Sequence, residues 1–278
     1  MSAAAPFGAV TVREALDSAL VALRASGVAS PRLDAEVLLA HALGVDRTAL
    51  FLDPGAPVTG AAVRSFREAV RRRTVLREPV AYITGTKGFR HLELHVDARV
   101  LIPRPETEHL VEAALTLPEG ARVVDVGTGS GAVALALKSE RPDLEVHATD
   151  ISEDALHVAY ANARRLGLDI TFHHGDLLAR SARVDAVVSN PPYVEDAARL
   201  APEITRHEPA GALFAGADGM DVVRRLVPAA QAAGARWIAM EVGDGQAPGT
   251  RALAPAGWRS DARADLAGVE RVVVLWQP

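Results

Sequence analysis

The chain reads as an α/β protein with a mostly parallel sheet, preceded by a small all-helical region. Three observations predict this. Residues 122–126, Arg-Val-Val-Asp-Val, form a buried strand run that enters a glycine-rich turn and then the apolar helical stretch 132–137, the strand–turn–helix entry of a βαβ unit. A second run, 145–149, ends at Asp150 and is followed by helical periodicity over 152–166. A third, Val184-Asp185-Ala186-Val187-Val188-Ser189, stops at Asn190-Pro191-Pro192-Tyr193. β-branched residues suit a buried pleated strand, and strands alternating with helices point to a parallel sheet.

Bulk composition narrows the classes. With 278 residues and 49% hydrophobic content, the chain can bury a sizeable core in one large or two ordinary domains. Its net charge of -5 argues against a protein whose main task is gripping nucleic acid, so no direct sequence-specific nucleic-acid binding is expected. The absence of cysteine removes disulfides, thiolate chemistry and cysteine-ligated metals. Residues 1–10 carry neither a charged leader nor a long apolar run, and no stretch reaches the length of a membrane span. A cytoplasmic protein with no membrane partner is the expectation, and no metal site is expected.

The opening residues are helical. Thr11 with Glu14 matches a capping box, followed by an apolar face at Leu16, Leu20, Val21 and Leu23 and a glycine stop at Gly27. Ser30-Pro31 opens a second helix whose stripe is Leu33, Val37, Leu38 and Leu43, closed by Gly44. Asp46 caps a short third helix to Leu52, and Thr59 starts a fourth reaching about Leu76. That fourth helix carries Arg64, Arg67, Arg71, Arg72, Arg73 and Arg77 against only Glu68 and Glu78. It is either a solvated face or a docking surface for an acidic partner or for RNA near that partner. From Val80 the pattern alternates with period two through Ala81-Tyr82-Ile83-Thr84-Gly85 and again through residues 91–96, which predicts a hairpin. Residues 101–108, Leu-Ile-Pro-Arg-Pro-Glu-Thr-Glu, lead into a helix over 109–115 and could form one wall of a site.

The chemistry-bearing residues cluster at the predicted carboxyl ends of strands, where open α/β sheets bind ligands. Gly127-Thr128-Gly129-Ser130-Gly131 lets the backbone approach a ligand and ends on a helix N-terminus. Two cofactors fit it, a dinucleotide and S-adenosylmethionine. Asp125 favours the second: a carboxylate beside the turn would repel a pyrophosphate, but could hold the turn's N–H groups or the cationic amino end of S-adenosylmethionine. Asp150 lies about 20 residues on, the offset of an acid that accepts both ribose hydroxyls of either cofactor. A third strand, 170–172, leads to His173-His174-Gly175-Asp176-Leu177, where Asp176 could accept from an adenine amine and Leu177 could wall it; the two histidines read as surface or turn residues. At Asn190-Pro191-Pro192-Tyr193 the prolines fix the backbone and present an amide side chain, free carbonyls and an aromatic face. Ser189 reads as strand packing.

Together, Asp125 to Gly131, Asp150 and the Asn-Pro-Pro-Tyr corner resemble a class I S-adenosylmethionine-dependent methyltransferase acting on a planar nitrogen. Glu78-Pro79-Val80-Ala81-Tyr82-Ile83-Thr84-Gly85, residues 101–108, His207-Glu208-Pro209 with Gly216, Asp218 and Gly219, and Asp265-Leu266-Ala267-Gly268 with Arg271 extend the resemblance to the release-factor glutamine N5-methyltransferases, the PrmC/HemK family. The resemblance implies a Rossmann-like seven-stranded sheet with a helical N-terminal domain and a β-hairpin linker. The domains would be a substrate-docking unit over 1–78, the linker over 79–103 and a catalytic domain over 104–278. It also implies methyl transfer to the glutamine of the GGQ motif of peptide chain release factors. Asn190, Pro191, Pro192 and Tyr193 would handle the amide. Asp125, Gly127, Thr128, Gly129, Ser130, Gly131, Asp150, Asp176, Leu177 and Asn190 would line the cofactor. One departure is Phe89-Arg90-His91, where the family usually has an aromatic residue and a glycine after the Phe. A ribosomal-protein glutamine methyltransferase and an adenine N6-methyltransferase on DNA share the corner's chemistry; the second would need base extrusion and a basic DNA-reading module.

Overall fold

The computed structural model describes residues 10–178 and 183–278; the expectation about a leader at the extreme N-terminus falls mainly on residues 1–9, outside the described residues. The chain forms two compact units, one of residues 1–85 with 201–207 and one of residues 86–200 with 208–278.

The first unit holds α1 (Val12–Ala25), α2 (Pro31–Leu43), α3 (Arg47–Leu52), α4 (Gly60–Arg71), α5 (Val80–Thr84) and, from later in the chain, α9 (Pro202–His207). Two-residue strands β1 (Val10–Thr11) and β2 (Pro57–Val58) pair antiparallel beside α1. The capping box is present: the Thr11 hydroxyl accepts from the Glu14 N–H at 3.2 Å and the Glu14 carboxylate accepts from the Thr11 N–H at 2.8 Å. Asp46 caps α3 through the Thr48 N–H. Ser30 occupies the N-cap position of α2 but its side chain makes no cap bond; the proline at N1 sets the start instead. The stripe predicted for α2 is also rotated. Leu33 is exposed, whereas Ala35, Leu38, Leu39 and Ala40 are buried together with Asp34 and Glu36. Two carboxylates on the inward face hid the true stripe from a hydrophobic count.

These carboxylates meet the arginines of the fourth helix. Arg73 donates to Asp34 at 2.7 Å in a buried pair, and Arg77 donates to Glu203 of α9 at 2.8 Å. Arg72 pairs with Glu78, and Arg71 with Glu68. Four of the six arginines therefore have carboxylates within the unit, which leaves Arg64 and Arg67 as the pair without an ion partner among the described residues. The last turn, Arg72–Leu76, widens to a π-helix and ends at Arg77 with φ +59°.

The stretch predicted as the first hairpin strand is α5. Residues 80–84 do alternate, but Pro79 pre-sets a helix start and Gly85, at φ +75°, stops it after one turn. The hairpin lies one step later, as β3 (Thr86–Phe89) and β4 (Leu92–His95), joined by Arg90-His91. Both strands belong to the second unit.

That unit continues with α6 (Glu108–Ala114), β5 (Arg122–Val126), α7 (Ala132–Glu140), β6 (Glu145–Asp150), α8 (Glu153–Leu166), β7 (Thr171–His174), β8 (Ala186–Ser189), α10 (Asp221–Ala232), β9 (Trp237–Glu241), α11 (Ala247–Arg251), β10 (Arg259–Ala264) and β11 (Glu270–Trp276). One seven-stranded sheet has the order β10-β11-β9-β8-β5-β6-β7. Strands β7, β6, β5, β8 and β9 run parallel, and β11 is antiparallel to both β9 and β10. The chain leaves β5 toward β6 and returns to its other side as β8, so the strand order reverses at β5, the position where such sheets form a ligand crevice. Alternate residues pack on opposite faces. Val123, Val188 and Ala148 join one core cluster, and Val124, Val187 and Met240 the other. Each fully buried valine or leucine contributes about 2 kcal/mol, so this double-faced burial holds the strand ends in place. Both histidines of the predicted turn lie in β7, where His173 stacks on His147 at 5.5 Å.

Candidate functional site

The carboxyl ends of β5, β6, β8 and β9 bring four pieces of chain to one edge of the sheet: the glycine turn, Asp150, the Asn-Pro-Pro-Tyr corner and Glu241.

At the turn, Gly127, Gly129 and Gly131 all have positive φ, at +73°, +56° and +85°. A Cβ on Gly127 or Gly129 would meet no atom within 4 Å, so bare backbone faces open space there. A Cβ on Gly131 would come within 2.9 Å of Leu135 and 3.3 Å of Ala159, so this glycine serves packing. Asp125 lies beneath the turn, 1% exposed. Its carboxylate accepts from the Thr128 hydroxyl at 2.6 Å and the Ala134 N–H at 3.1 Å. Of the two roles the sequence offered it, this placement supports bracing the turn, not reaching a ligand's amino group. Burial pushes the Asp125 carboxyl up to about 7, against those two donors. Ser130 is buried, and its carbonyl is held by Asn162, which is wholly buried and also clasps both backbone groups of His95 in β4.

Asp150 accepts the Gly129 N–H on one oxygen and the Ser152 N–H on the other, each at 2.9 Å. Ser152 caps α8, its side chain accepting from the Ala155 N–H. A carboxylate has about four acceptor positions, so two remain for a diol. Burial pushes the Asp150 carboxyl above the usual carboxylate range, opposed by the N–H groups of Ser152, Gly129 and Ile151. This combination of open glycine backbone and a carboxylate with acceptors to spare fits a nucleoside-bearing cofactor. Asp176 is exposed and ion-paired with Arg225 of α10, so one of its oxygens is already engaged. Leu177, at φ +51°, is half-buried beside it.

At the corner, Ser189 is buried and donates to the Val126 carbonyl at 2.7 Å, a packing role. The Asn190 Nδ2 donates to the Thr107 hydroxyl at 3.0 Å. This fixes which way the carboxamide faces and leaves Oδ1 as its open acceptor. Pro191 is buried, and Pro192 and Tyr193 are half-buried. The Tyr193 hydroxyl donates to Glu241 Oε1 at 3.1 Å. Its backbone carbonyl accepts from Gln246 Nε2 at 2.9 Å, and the same amide reaches the carbonyl of Asp218 and the N–H of Gly243. Burial, then the neighbouring Glu241, pushes the tyrosine phenol up. Beyond the corner, Val194 bridges to Phe214.

Sequence reading missed Thr107, Glu241 and Gln246. Only Thr107 stood in a stretch flagged as a possible wall, and there the charges drew attention. Two of those three charges serve the frame: Arg104 pairs with the buried Glu208, which also accepts from the Ile102 N–H, and Glu108 accepts from the Arg90 N–H. Arg90 has φ +48° at the first position of a two-residue hairpin loop; its guanidinium pairs with Glu140 and Glu112. No cluster of three or more histidines and carboxylates that could hold a metal occurs among the described residues.

Comparison with known proteins resolves the family. Residues 14–85 match the model of the PrmC N-terminal domain, and 105–216 that of the methyltransferase small domain. A release factor glutamine methyltransferase from Deinococcus radiodurans is 44% identical over 94% of this chain and 97% of its own length. The chain belongs to the release factor glutamine methyltransferase family. A second member, from Koribacter versatilis, is 41% identical over 97% of this chain and 99% of its own. At the level of fold alone, a methyltransferase from Pyrococcus furiosus superposes with a TM-score of 0.52 at 16% identity, covering 76% of this chain and 98% of that one. Release factor glutamine methyltransferases thus align with this chain across both compact units, helical and α/β.

Proposed function

We propose that the protein transfers a methyl group from S-adenosylmethionine to the side-chain amide nitrogen of a glutamine, that of the GGQ motif in peptide chain release factors. Family membership supports the reaction class. The observation that carries the substrate is Asn190, whose amide is oriented by Thr107 so that an acceptor oxygen is left over at the end of β8.

An amide nitrogen is a weak nucleophile because its lone pair is delocalised into the carbonyl. S-adenosylmethionine supplies a methyl group on a sulfonium, already a strong donor. The protein's task is therefore to hold nitrogen and methyl in line and keep water out. A primary amide has two N–H donors and needs two fixed acceptors. Asn190 Oδ1 and the Pro191 carbonyl are placed on a proline-stiffened backbone to supply them. Accepting both protons keeps electron density on nitrogen. The Tyr193 ring, tethered by Glu241 and Gln246, is suited to stack on the flat amide. No strong base is required, since the methylated nitrogen becomes acidic enough to lose its proton to water. The glycine turn and Asp150 would hold the cofactor, with Asp176 and Leu177 toward its base. The helical unit would dock the release factor, and the setting would be the cytoplasm; no helix among the described residues is long and apolar enough to cross a membrane.

The test is labelled-methyl transfer from S-adenosylmethionine to a purified release factor. Incorporation that vanishes when the target glutamine is changed to glutamate supports the reading. Incorporation into DNA or a ribosomal protein, with none into release factor, overturns it.

A further inference from the structure

Glu241 ends β9 with its side chain buried, 1% exposed, and no arginine or lysine among the described residues forms an ion pair with it. Oε1 accepts from Tyr193. Oε2 is buried with no partner in good hydrogen-bond geometry, while the Thr107 hydroxyl lies close enough to act on the carboxyl's ionisation. A buried acidic group left this incompletely satisfied costs stability, and neither packing nor the cofactor turn uses it.

Thr107 ends the 3₁₀ turn Pro105–Thr107 that runs directly into α6, and its side chain makes no cap bond there. Its hydroxyl accepts from Asn190 instead. A hydroxyl has one proton and two acceptor positions. Asn190 Nδ2 cannot take that proton, so it must go elsewhere, and Glu241 is the acceptor at hand.

We propose that Glu241 is a positioning residue for methyl transfer: as a buried acceptor shared by Thr107 and Tyr193, it fixes which face of the Asn190 carboxamide meets the substrate and how the Tyr193 ring is held. The inference rests on the reading of Asn190 as an acceptor for the substrate amide. Its logic is polarity. With an acceptor behind it, Thr107 gives its proton inward and can only accept from Asn190, so Nδ2 faces Thr107 and Oδ1 faces outward. A donor behind Thr107 removes that constraint. Thr107 could then donate to Asn190 Oδ1, and the flipped amide would present an N–H to the substrate's own N–H. Glutamine at 241 keeps the shape and supplies such a donor.

The experiment compares Glu241→Gln, Thr107→Val, Thr107→Ser and Asn190→Ala in methyl transfer to purified release factor. Cofactor dissociation constants are measured by calorimetry and folding by thermal melts. Glu241→Gln and Thr107→Val should each lower kcat by about tenfold, the scale of one lost orienting hydrogen bond, with cofactor affinity and release-factor KM nearly unchanged. Thr107→Ser, which keeps the hydroxyl, should restore kcat. The double variant Glu241→Gln/Thr107→Val should be no slower than the slower single one, because both break one chain. If Thr107→Ser is as slow as Thr107→Val, packing explains the effect and the inference fails. It fails equally if Asn190→Ala is slow while Glu241→Gln and Thr107→Val turn over normally. If Asn190→Ala itself is unimpaired, the reading of the corner fails first. Should Glu241→Gln melt at low temperature, the two Thr107 variants still decide the outcome.

Discussion

The glycine turn and the Asn-Pro-Pro-Tyr corner sit at neighbouring strand ends, yet they are held by different kinds of partner. Asp125 fastens Thr128 and Ala134, three and nine residues away, and Asp150 fastens Gly129 at a separation of 21. The corner reaches much further: Asn190 to Thr107 across 83 residues, Tyr193 to Glu241 across 48 and to Gln246 across 53. Apart from Asn162 of α8, which holds the Ser130 carbonyl, the turn is braced from within one βαβ unit, so its shape forms largely with local structure. The corner takes its shape only when α6, β8, β9 and α11 are all packed. A local brace suits a cofactor cradle, which needs an open backbone. A dispersed one suits a group whose orientation must be set from several sides at once.

If that division is real, lesions at the corner should act on turnover and lesions at the turn on cofactor affinity or stability. The largest effect is expected for Asn190→Ala. Loss of a positioned acceptor should lower kcat by roughly 10²–10³, while the dissociation constant for S-adenosylmethionine, measured by calorimetry, changes less. Equal losses in both would erase the distinction.

The next concerns Asp125. Its folded-state value is raised to about 7, above the ordinary carboxylate range. Between roughly pH 4 and 7 the folded state keeps a proton that the unfolded chain has released. The associated stability is therefore full below about pH 4, is lost as pH rises toward 7, and is flat above; it amounts to a few kcal/mol at most. Denaturant melts across pH 4–8 should show a steeper decline for the protein than for Asp125→Asn, in which only the share from Asp150 and Glu241, also pushed up by burial, remains. Asp97, Asp143 and Asp218, each lowered to about 2, act in the opposite sense below about pH 4, outside this window.

Asp150→Ala should weaken cofactor binding by about 10- to 100-fold, since it removes a charged acceptor and strands two backbone donors. Its kcat at saturating cofactor should fall less than that of Asn190→Ala.

Two glycines sharpen the contrast further. A Cβ at Gly219 would lie 2.1 Å from the Tyr193 carbonyl and 2.6 Å from Gln246 Nε2, so Gly219→Ala must displace the corner and should cut kcat and thermal stability together. At Gly129 a Cβ meets nothing, so Gly129→Ala should cost only about 1–2 kcal/mol of left-handed backbone strain in a melt of the free protein.

The smallest effect tests the helical unit. Arg71, Arg72, Arg73 and Arg77 are occupied by Glu68, Glu78, Asp34 and Glu203, so reversing them would confound docking with folding. Arg64→Glu with Arg67→Glu isolates the surface. A docking role predicts a several-fold rise in release-factor KM at low salt with cofactor affinity unchanged, and a solvated face predicts none.

Much of the fold was legible. Strand runs at 122–126, 145–149 and 184–189, the capping box at Thr11 and the glycine stops at Gly27 and Gly44 each announce themselves within a few residues, because β-propensity, caps and positive φ are properties of short segments. The residues 80–84 misled for the same reason. Period-two alternation over five residues also fits one helical turn, and Pro79 with Gly85 decided it. The stripe of α2 misled because Asp34 and Glu36 face inward, which makes sense only beside Arg73 and Arg32, 39 and four residues away.

The sequence by itself determined the chemistry on offer: an open glycine turn, an acid at the next strand end and a proline-locked amide, all carried by residues close together in the chain. Tertiary structure alone decided which way that amide points and what holds the tyrosine. Thr107, Glu241 and Gln246 are ordinary residues in their own surroundings. They acquire their roles because the parallel sheet carries distant strand ends to one edge, where burial leaves a hydroxyl proton or a carboxylate oxygen few partners to choose from.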